Sequence, residues 1–206
     1  LLEAGDEDTA IPENVEKWTY LGGRFYQHGS FMDALPSMDD EDVLVMADAD
    51  AVVQTDWPKE DSGEGFALGW NEFPGQTAAR ELTSLGWRVS TEGAGHMLGV
   101  HMPLVPMYNT GLMSAKVRVW KRLRAMYDEI FWMGAAISDN LCYMQMVICC
   151  LLHKNGIPVK QMGYEWHSHG HFPGSSLTAD HVIVDGKLLY KGKPVFYVHN
   201  VKGVTH

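Results

Sequence analysis

The feature that most constrains the fold is a short apolar run that ends in two aspartates, "VLVMADAD" at residues 43–50. Its first four residues are apolar, Val-rich and preceded by charged residues, which is typical of an interior strand of a covered sheet. Asp48 and Asp50 follow at the carboxyl end of that strand, where open α/β sheets bind their ligands. Side chains two residues apart in extended backbone share a face, so both carboxylates can converge on one hard divalent cation.

Strand-like and helix-like segments alternate along the rest of the chain. This alternation predicts an α/β fold with a mixed, mostly parallel central sheet flanked by helices. Asp-Gly between two apolar runs in "HVIVDGKLLY" adds a late antiparallel hairpin. The predicted helices cover 23–35, 115–133 and 138–154, the predicted strands cover 43–47, 66–70 and 195–200, and the glycine-rich residues 90–111 are expected to form loop and short strand.

No repeat, linker or change of composition marks a second domain in the 206 residues. We therefore expect one domain over 1–206, with an acidic segment at 1–20 and a motif-bearing core at 21–206. The net charge of −10 argues against non-specific binding to nucleic acid and against docking on anionic lipid. The basic run "KVRVWKRLR" at 116–124 is expected to be the solvated face of an amphipathic helix.

The three cysteines all lie in one apolar segment, "LCYMQMVICCLL" at 141–152, and two of them are adjacent. That placement favours buried free thiols over a disulfide framework, and hence a reducing, cytoplasmic compartment. The segment is too short to cross a bilayer and contains a glutamine, so it is expected to be a core helix. With no signal peptide recognised, the chain is expected to be a soluble protein without a transmembrane segment.

Three further polar motifs follow the aspartates in order: "MYNTGLMSAK" at 107–116, "ISDN" at 137–140 and "FYVHNVKG" at 196–203. Together with the D-x-D strand they resemble the GT-A glycosyltransferases, the nucleotide-diphospho-sugar transferases, over about residues 20–206. Those enzymes have a Rossmann-like sheet, an N-x-G segment, an Asp-Gln or similar pair opening a helix, and a late His near Gly and Lys. They usually place two strand–helix units before the D-x-D, whereas 47 residues precede Asp48 here.

The resemblance implies metal-dependent transfer of a sugar from a UDP- or GDP-sugar to a hydroxyl of a glycan or another acceptor. It implies that Asp48, Asp50 and His199 hold Mn²⁺ or Mg²⁺ against the donor diphosphate. A hard cation there offsets the charge that develops on the leaving phosphate. Whether the sugar's configuration is retained or inverted stays open. The other implied site residues contact donor or acceptor: Arg24 at the donor, Lys202 at the diphosphate, Asn109 and Gly111 in the sugar pocket, and Asp139 as the candidate catalytic carboxylate.

Two other functions remain open from the sequence. The same D-x-D strand fits a haloacid-dehalogenase-type phosphatase, with Asp48 as nucleophile and Asp50 as general acid. A non-catalytic module on the transferase fold, binding sugar or a protein, is the second alternative.

A second histidine-rich motif, "HSHGH" at 167–171, allows two interpretations. His167, His169 and His171 alternate, so on a strand they would share a face and could bind Zn²⁺ or Ni²⁺. We expect instead a polar loop that follows "GYEW" at 163–166.

Overall fold

The computed structural model describes residues 2–4, 16–18, 32–48, 51–56, 63–70, 75–84, 89–137, 143–170, 177–199, 201 and 204, and every structural statement below concerns these. The elements that position the site are short strands and four α-helices. In chain order they are β1 (Leu2–Ala4), β2 (Glu16–Trp18), β3 (Val43–Ala47), β4 (Ala51–Val53), β5 (Phe66–Trp70), α1 (Ala78–Ser84), α2 (Thr91–Leu98), β6 (Tyr108–Lys116), α3 (Val117–Ile137), α4 (Tyr143–Lys154), β7 (Val159–Gln161), β8 (His167–His169), β9 (His181–Val184), β10 (Lys187–Tyr190), β11 (Lys193–Pro194) and β12 (Tyr197–His199).

Two sheets of mixed strand direction form the centre of the described structure. The larger has the order β3-β6-β5-β7, with antiparallel pairing on both sides of β6 and parallel pairing of β5 with β7. The smaller has the order β4-β12-β8, antiparallel at β4 and parallel at β8. The mixed α/β class is observed, but the mostly parallel character is not confirmed. Alternation of strands and helices does not fix strand direction, since β5 and β6 are separated by α1 and α2 and still pair antiparallel.

The D-x-D strand β3 forms as predicted, but among the described strands it lies at an edge of the larger sheet, with Val43 53% exposed. The interior position belongs to β6, whose central residues are all buried although several are polar. Within the described strands, β3 does not have the interior position that the sequence predicted. A run of four apolar residues does not distinguish a central strand from a half-buried edge strand.

The helices α3 and α4 pack on the larger sheet and bury its apolar side chains. The indole N–H of Trp120 donates to the Leu44 carbonyl oxygen at 3.1 Å, and its ring meets the ring of Phe66 edge-on at 4.6 Å. The predicted solvated basic face of α3 is confirmed. Arg118 of α3 pairs with Glu41 and Glu64, Lys121 of α3 pairs with Asp40, and Lys116 at the end of β6 pairs with Glu41.

Residues 90–111 are not mainly loop, and that prediction was wrong. They contain α2, a 3₁₀ turn at Met102–Leu104 and the start of β6. The Ser90 hydroxyl oxygen caps α2 by accepting from the Gly93 N–H at 3.1 Å, and Gly99 ends the helix with φ of 69°. These caps satisfy backbone groups at both ends, which compensates for two glycines of low helix propensity.

The late hairpin is confirmed, since β9 and β10 pair antiparallel. Asp185 and Gly186 both have positive φ, 49° and 76°. A two-residue hairpin turn of this kind requires positive φ at both positions. Gln54, just after β4, fixes the hairpin to the smaller sheet. Its Nε2 donates to the carbonyls of Leu188 and Val195 at 2.9 and 2.7 Å, and its Oε1 accepts from the Leu188 N–H at 2.8 Å.

The remaining observations concern the N-terminal part of the chain, the cysteines and the helices. The acidic N-terminal segment contains the short parallel pair β1–β2, which the sequence did not indicate. Only the end of the predicted 23–35 helix is described, within a 3₁₀ turn at Met32–Ser37. Cys149 and Cys150 are buried free thiols, and Cys142 lies outside the described residues. Among the helices described here, none combines the length and apolar character needed to cross a membrane.

Candidate functional site

The candidate site lies where the two sheets meet. The strands β3 and β4 belong to different sheets and are joined by residues 48–50, so Asp48 stands at the junction. In the smaller sheet, His199 of β12 is opposite Ala51 on one side and His169 on the other. The register of β4 and β12 therefore places His199 beside the residue that follows the D-x-D motif.

The strand β6 has a bulge at the candidate site. Leu68 of β5 pairs with Met113, but the next residue, Gly69, pairs with Asn109, so residues 110–112 have no register partner on β5. Such an insertion redirects side chains and often borders a functional site. The Gly111 N–H donates to Asn109 Oδ1 at 2.8 Å, and the Gly111 carbonyl accepts from the Asp48 N–H at 2.8 Å.

Tyr197 joins the two sheets at this point. Its hydroxyl lies 2.8 Å from the carbonyl oxygen of Gly111 and 3.1 Å from that of Asp48, and the side chain is buried. A phenol O–H carries one proton, so it donates to either carbonyl or is shared between them. The hydroxyl thereby holds both residues of the larger sheet to β12.

Four of the residues named by the sequence pattern meet around Gly111. A Cβ atom built on Gly111 would lie 2.8 Å from Asp48 Oδ2, 2.9 Å from Asn109 Oδ1 and 3.1 Å from His199 Nδ1. The absence of a side chain at Gly111 is what allows these three polar atoms to approach one another. They come from the end of β3, from β6 and from β12, which are distant in the sequence.

Asp48 and His199 lie close enough together to contact one cation. Asp48 Oδ2 and His199 Nε2 are 3.9 Å apart, with 42% and 13% of their side chains exposed. Ligands about 2.0–2.2 Å from one ion are about 3.0 Å apart at right angles and about 4.3 Å apart on opposite sides. Mixed carboxylate and imidazole donors suit Mn²⁺ better than Mg²⁺, which prefers oxygen alone.

The remaining predicted site residues, Arg24, Asp50, Asp139 and Lys202, lie outside the described residues. Their roles stay predictions, as does a common cation for Asp50 and His199. Within the described ranges, no group of three His, Cys, Asp or Glu side chains could hold a metal ion. Sequence reasoning missed Tyr197, although its place two residues before His199 on a strand puts both side chains on one face.

The histidine-rich motif is a buried strand, so the expectation of a polar loop was wrong for His167–His169. These residues form β8, and all three are buried in the smaller sheet. The His167 ring is stacked against the His199 ring, with 6.2 Å between the ring centroids. It meets the Tyr197 ring edge-on, with 5.0 Å between the centroids. It also packs on the backbone of Gly69, where a Cβ would lie 2.3 Å from its Nδ1. His171 is outside the described residues.

Burial of His167 predicts a pH-dependent stability. Burial lowers the pKa of His167 well below its ordinary value, and the nearby His169 and His199 lower it further. The native state keeps this imidazole neutral while the unfolded chain protonates it, so stability is present at neutral pH and lost as pH falls below about 6.5. One such group changes the free energy of unfolding by up to about 1.4 kcal/mol per pH unit. Burial also lowers the pKa of His181, which adds in the same direction.

Urea unfolding between about pH 5 and pH 7.5 measures this slope. His167→Phe fills the same space with an aromatic ring that does not titrate. It is expected to reduce the change of unfolding free energy with pH by the contribution of one proton. An identical slope in the wild type and in His167→Phe would contradict the assignment.

Comparisons with solved structures give distant similarities, of which two are described. No protein-family model and no curated protein sequence matches the chain. The structure of the galactosyltransferase LgtC in complex with donor and acceptor sugar analogs is 15% identical at a TM-score of 0.45, and the match covers 91% of this chain and 66% of that one. Mouse xyloside xylosyltransferase 1, in its apo form, is 10% identical at a TM-score of 0.49, covering 92% and 69%. Both neighbours are glycosyltransferases, and the similarities at this level assign no activity to the chain.

Proposed function

We propose that this chain is a glycosyltransferase that uses Mn²⁺ or Mg²⁺ to move a sugar from a UDP- or GDP-sugar to a hydroxyl of a glycan or another acceptor. The observation that supports the proposal is the meeting of Asp48, Asn109 and His199 around Gly111. The order of motifs along the sequence points to these residues independently of the distances between them. A chance likeness of motifs gives no reason for them to meet.

The proposed metal ligands are Asp48, Asp50 and His199. A cation bound there would neutralise charge that develops on the diphosphate as the bond to the sugar breaks. Lys202 and Arg24 are proposed to bind the donor phosphates, where their positive charges act in the same sense. Asp139 is proposed as the carboxylate beside the reacting sugar, able to accept the proton of an acceptor hydroxyl if the reaction inverts configuration.

Asn109 has a proposed role in holding the sugar. Its Oδ1 accepts from the Gly111 N–H, which fixes the orientation of the amide group. The Nδ2 group then remains as the donor toward a sugar hydroxyl. Asn109 is 9% exposed, so such a hydrogen bond would form in a site largely shielded from water.

A thermal-shift experiment with Mn²⁺ and UDP or GDP tests this function. We expect stabilisation only when metal and nucleotide are both present, by about 2.7 kcal/mol at a hundredfold excess over Kd. Inorganic phosphate with Mn²⁺ is expected to give no comparable shift. Asp56→Asn, an exposed acid after β4, is the matched control and should behave as wild type.

Other outcomes separate the alternatives. Turnover of p-nitrophenyl phosphate that is lost in Asp48→Asn would replace the transferase by the phosphatase. Full transferase activity in EDTA would refute the role of the metal. A chain that responds to neither metal nor nucleotide would favour the non-catalytic module.

A further inference from the structure

The β6 bulge is held by the helix α4 as well as by its own side chains. The Thr110 N–H donates to Gln145 Oε1 at 3.1 Å. Thr110 is 5% exposed and lies in the part of the bulge with no register partner on β5. The side chain of Gln145 therefore supplies the acceptor that a regular antiparallel ladder would have supplied.

A second contact from the same helix lies one turn further along. The Tyr108 N–H donates to Cys149 Sγ at 3.4 Å. Gln145 and Cys149 are four residues apart, so they lie on one face of α4. The two contacts reach the backbone on either side of Asn109, so α4 bonds to β6 where the bulge begins.

Loss of the Gln145 acceptor would leave the Thr110 amide buried without a partner. Buried unpaired amides are costly enough to drive rearrangement of the surrounding backbone. In this bulge the next residue is Gly111, whose N–H and carbonyl bond to Asn109 and Asp48. A shift of the Thr110 peptide would therefore move the Gly111 carbonyl away from the Asp48 N–H.

We propose that Gln145 is a positioning residue of the candidate site. It holds the Thr110 peptide so that Asn109 and Gly111 stay beside Asp48 and His199. It acts through the backbone, and it has no assigned contact with substrate or metal. The value of this role for catalysis rests on the proposed transferase function.

Two substitutions with nearly equal volume separate this role from simple packing. Gln145→Met keeps the length of the side chain and removes the acceptor, whereas Gln145→Glu keeps an acceptor oxygen at the same place. His153→Gln, an exposed residue near the end of α4, is the control that should change nothing. Each variant is compared with the wild type by amide hydrogen exchange, by Mn²⁺ binding read from paramagnetic broadening, and by kcat and KM.

In Gln145→Met we expect amide exchange to accelerate roughly tenfold or more at both Thr110 and Gly111. Mn²⁺ affinity is expected to fall about tenfold, as for other residues that orient metal ligands. We expect Gln145→Glu to restore both values to near those of the wild type.

Acceleration at Thr110 alone, with Mn²⁺ affinity unchanged, would make Gln145 a purely structural residue and overturn the proposal. Failure of Gln145→Glu to restore the wild-type values would also overturn it. If the wild type binds neither Mn²⁺ nor nucleotide, the proposed function fails, and the exchange rates at Thr110 and Gly111 decide the positioning role by themselves.

Discussion

Asp48→Ala is expected to lower metal-dependent nucleotide-sugar turnover by roughly 10²- to 10³-fold, since one carboxylate ligand of a charge-stabilising site is removed. The fold is expected to survive. The backbone N–H of Asp48 donates to Gly111 of the same sheet, its carbonyl accepts from Tyr197 of the other sheet, and alanine keeps both backbone groups. The Asp48 side chain is also 42% exposed, so its loss leaves no core cavity.

The measurement pairs turnover in Mn²⁺ with the melting temperature of the metal-free chain. We expect Asp50→Ala to behave in the same way, because the D-x-D spacing gives it the same proposed role. Asp56→Ala, an exposed acid of the same region, should keep full activity. Wild-type activity in Asp48→Ala would rule out this carboxylate as a ligand or nucleophile.

Gly111→Ala is expected to disable the site by displacing three side chains at once. The new methyl group would lie 2.8 Å from Asp48 Oδ2 and 2.9 Å from Asn109 Oδ1, closer than such atoms are found in proteins. Both are ends of flexible side chains, so the carboxylate and the amide would move aside while the backbone stays. Displacement of catalytic groups by about 1 Å costs roughly a hundredfold in rate. We expect a loss of that size in kcat/KM and a loss of about 1–3 kcal/mol in stability.

Gly93→Ala in α2 is the matched control. Its added methyl group would come no closer than 3.3 Å to Ser90 Oγ. Alanine also favours a helix over glycine by about 1 kcal/mol. This variant should therefore be fully active and at least as stable as the wild type. If Gly111→Ala kept wild-type Mn²⁺ affinity and turnover, the grouping of these side chains would have no functional meaning.

Elements whose formation depends on neighbouring residues were predictable from the sequence. The Asp185-Gly186 turn requires positive φ at both positions, which these residue types tolerate. Asn155-Gly156 ends α4, with Gly156 at φ of 59°. The strand β5 and the helix α3 also follow from local patterns. Strand direction, the edge position of β3 and the burial of β8 depend on pairing between distant segments, which single-chain periodicity does not encode.

The same distinction between local and long-range determinants applies to the residues of the candidate site. Asp48, Asn109, Gly111 and His199 were found because their residue types and order form a pattern along the chain. Tyr197 and Gln145 were missed because their roles depend on hydrogen bonds to backbone groups 86 and 35 residues away. The β6 bulge that requires them appears only when β5 and β6 are paired.

The hydroxyl of Tyr197 has a consequence for protein engineering. It bonds to Gly111 and Asp48 of one sheet from a strand of the other, so the geometry of the site belongs to the joint between two sheets. The segment 43–50 alone, grafted onto another scaffold, would transfer the carboxylates without the distances that relate them to His199. To graft a working site, a designer must transfer β3, β6 and β12 together. The two sheets are therefore the smallest part of the fold that can be moved with the site intact.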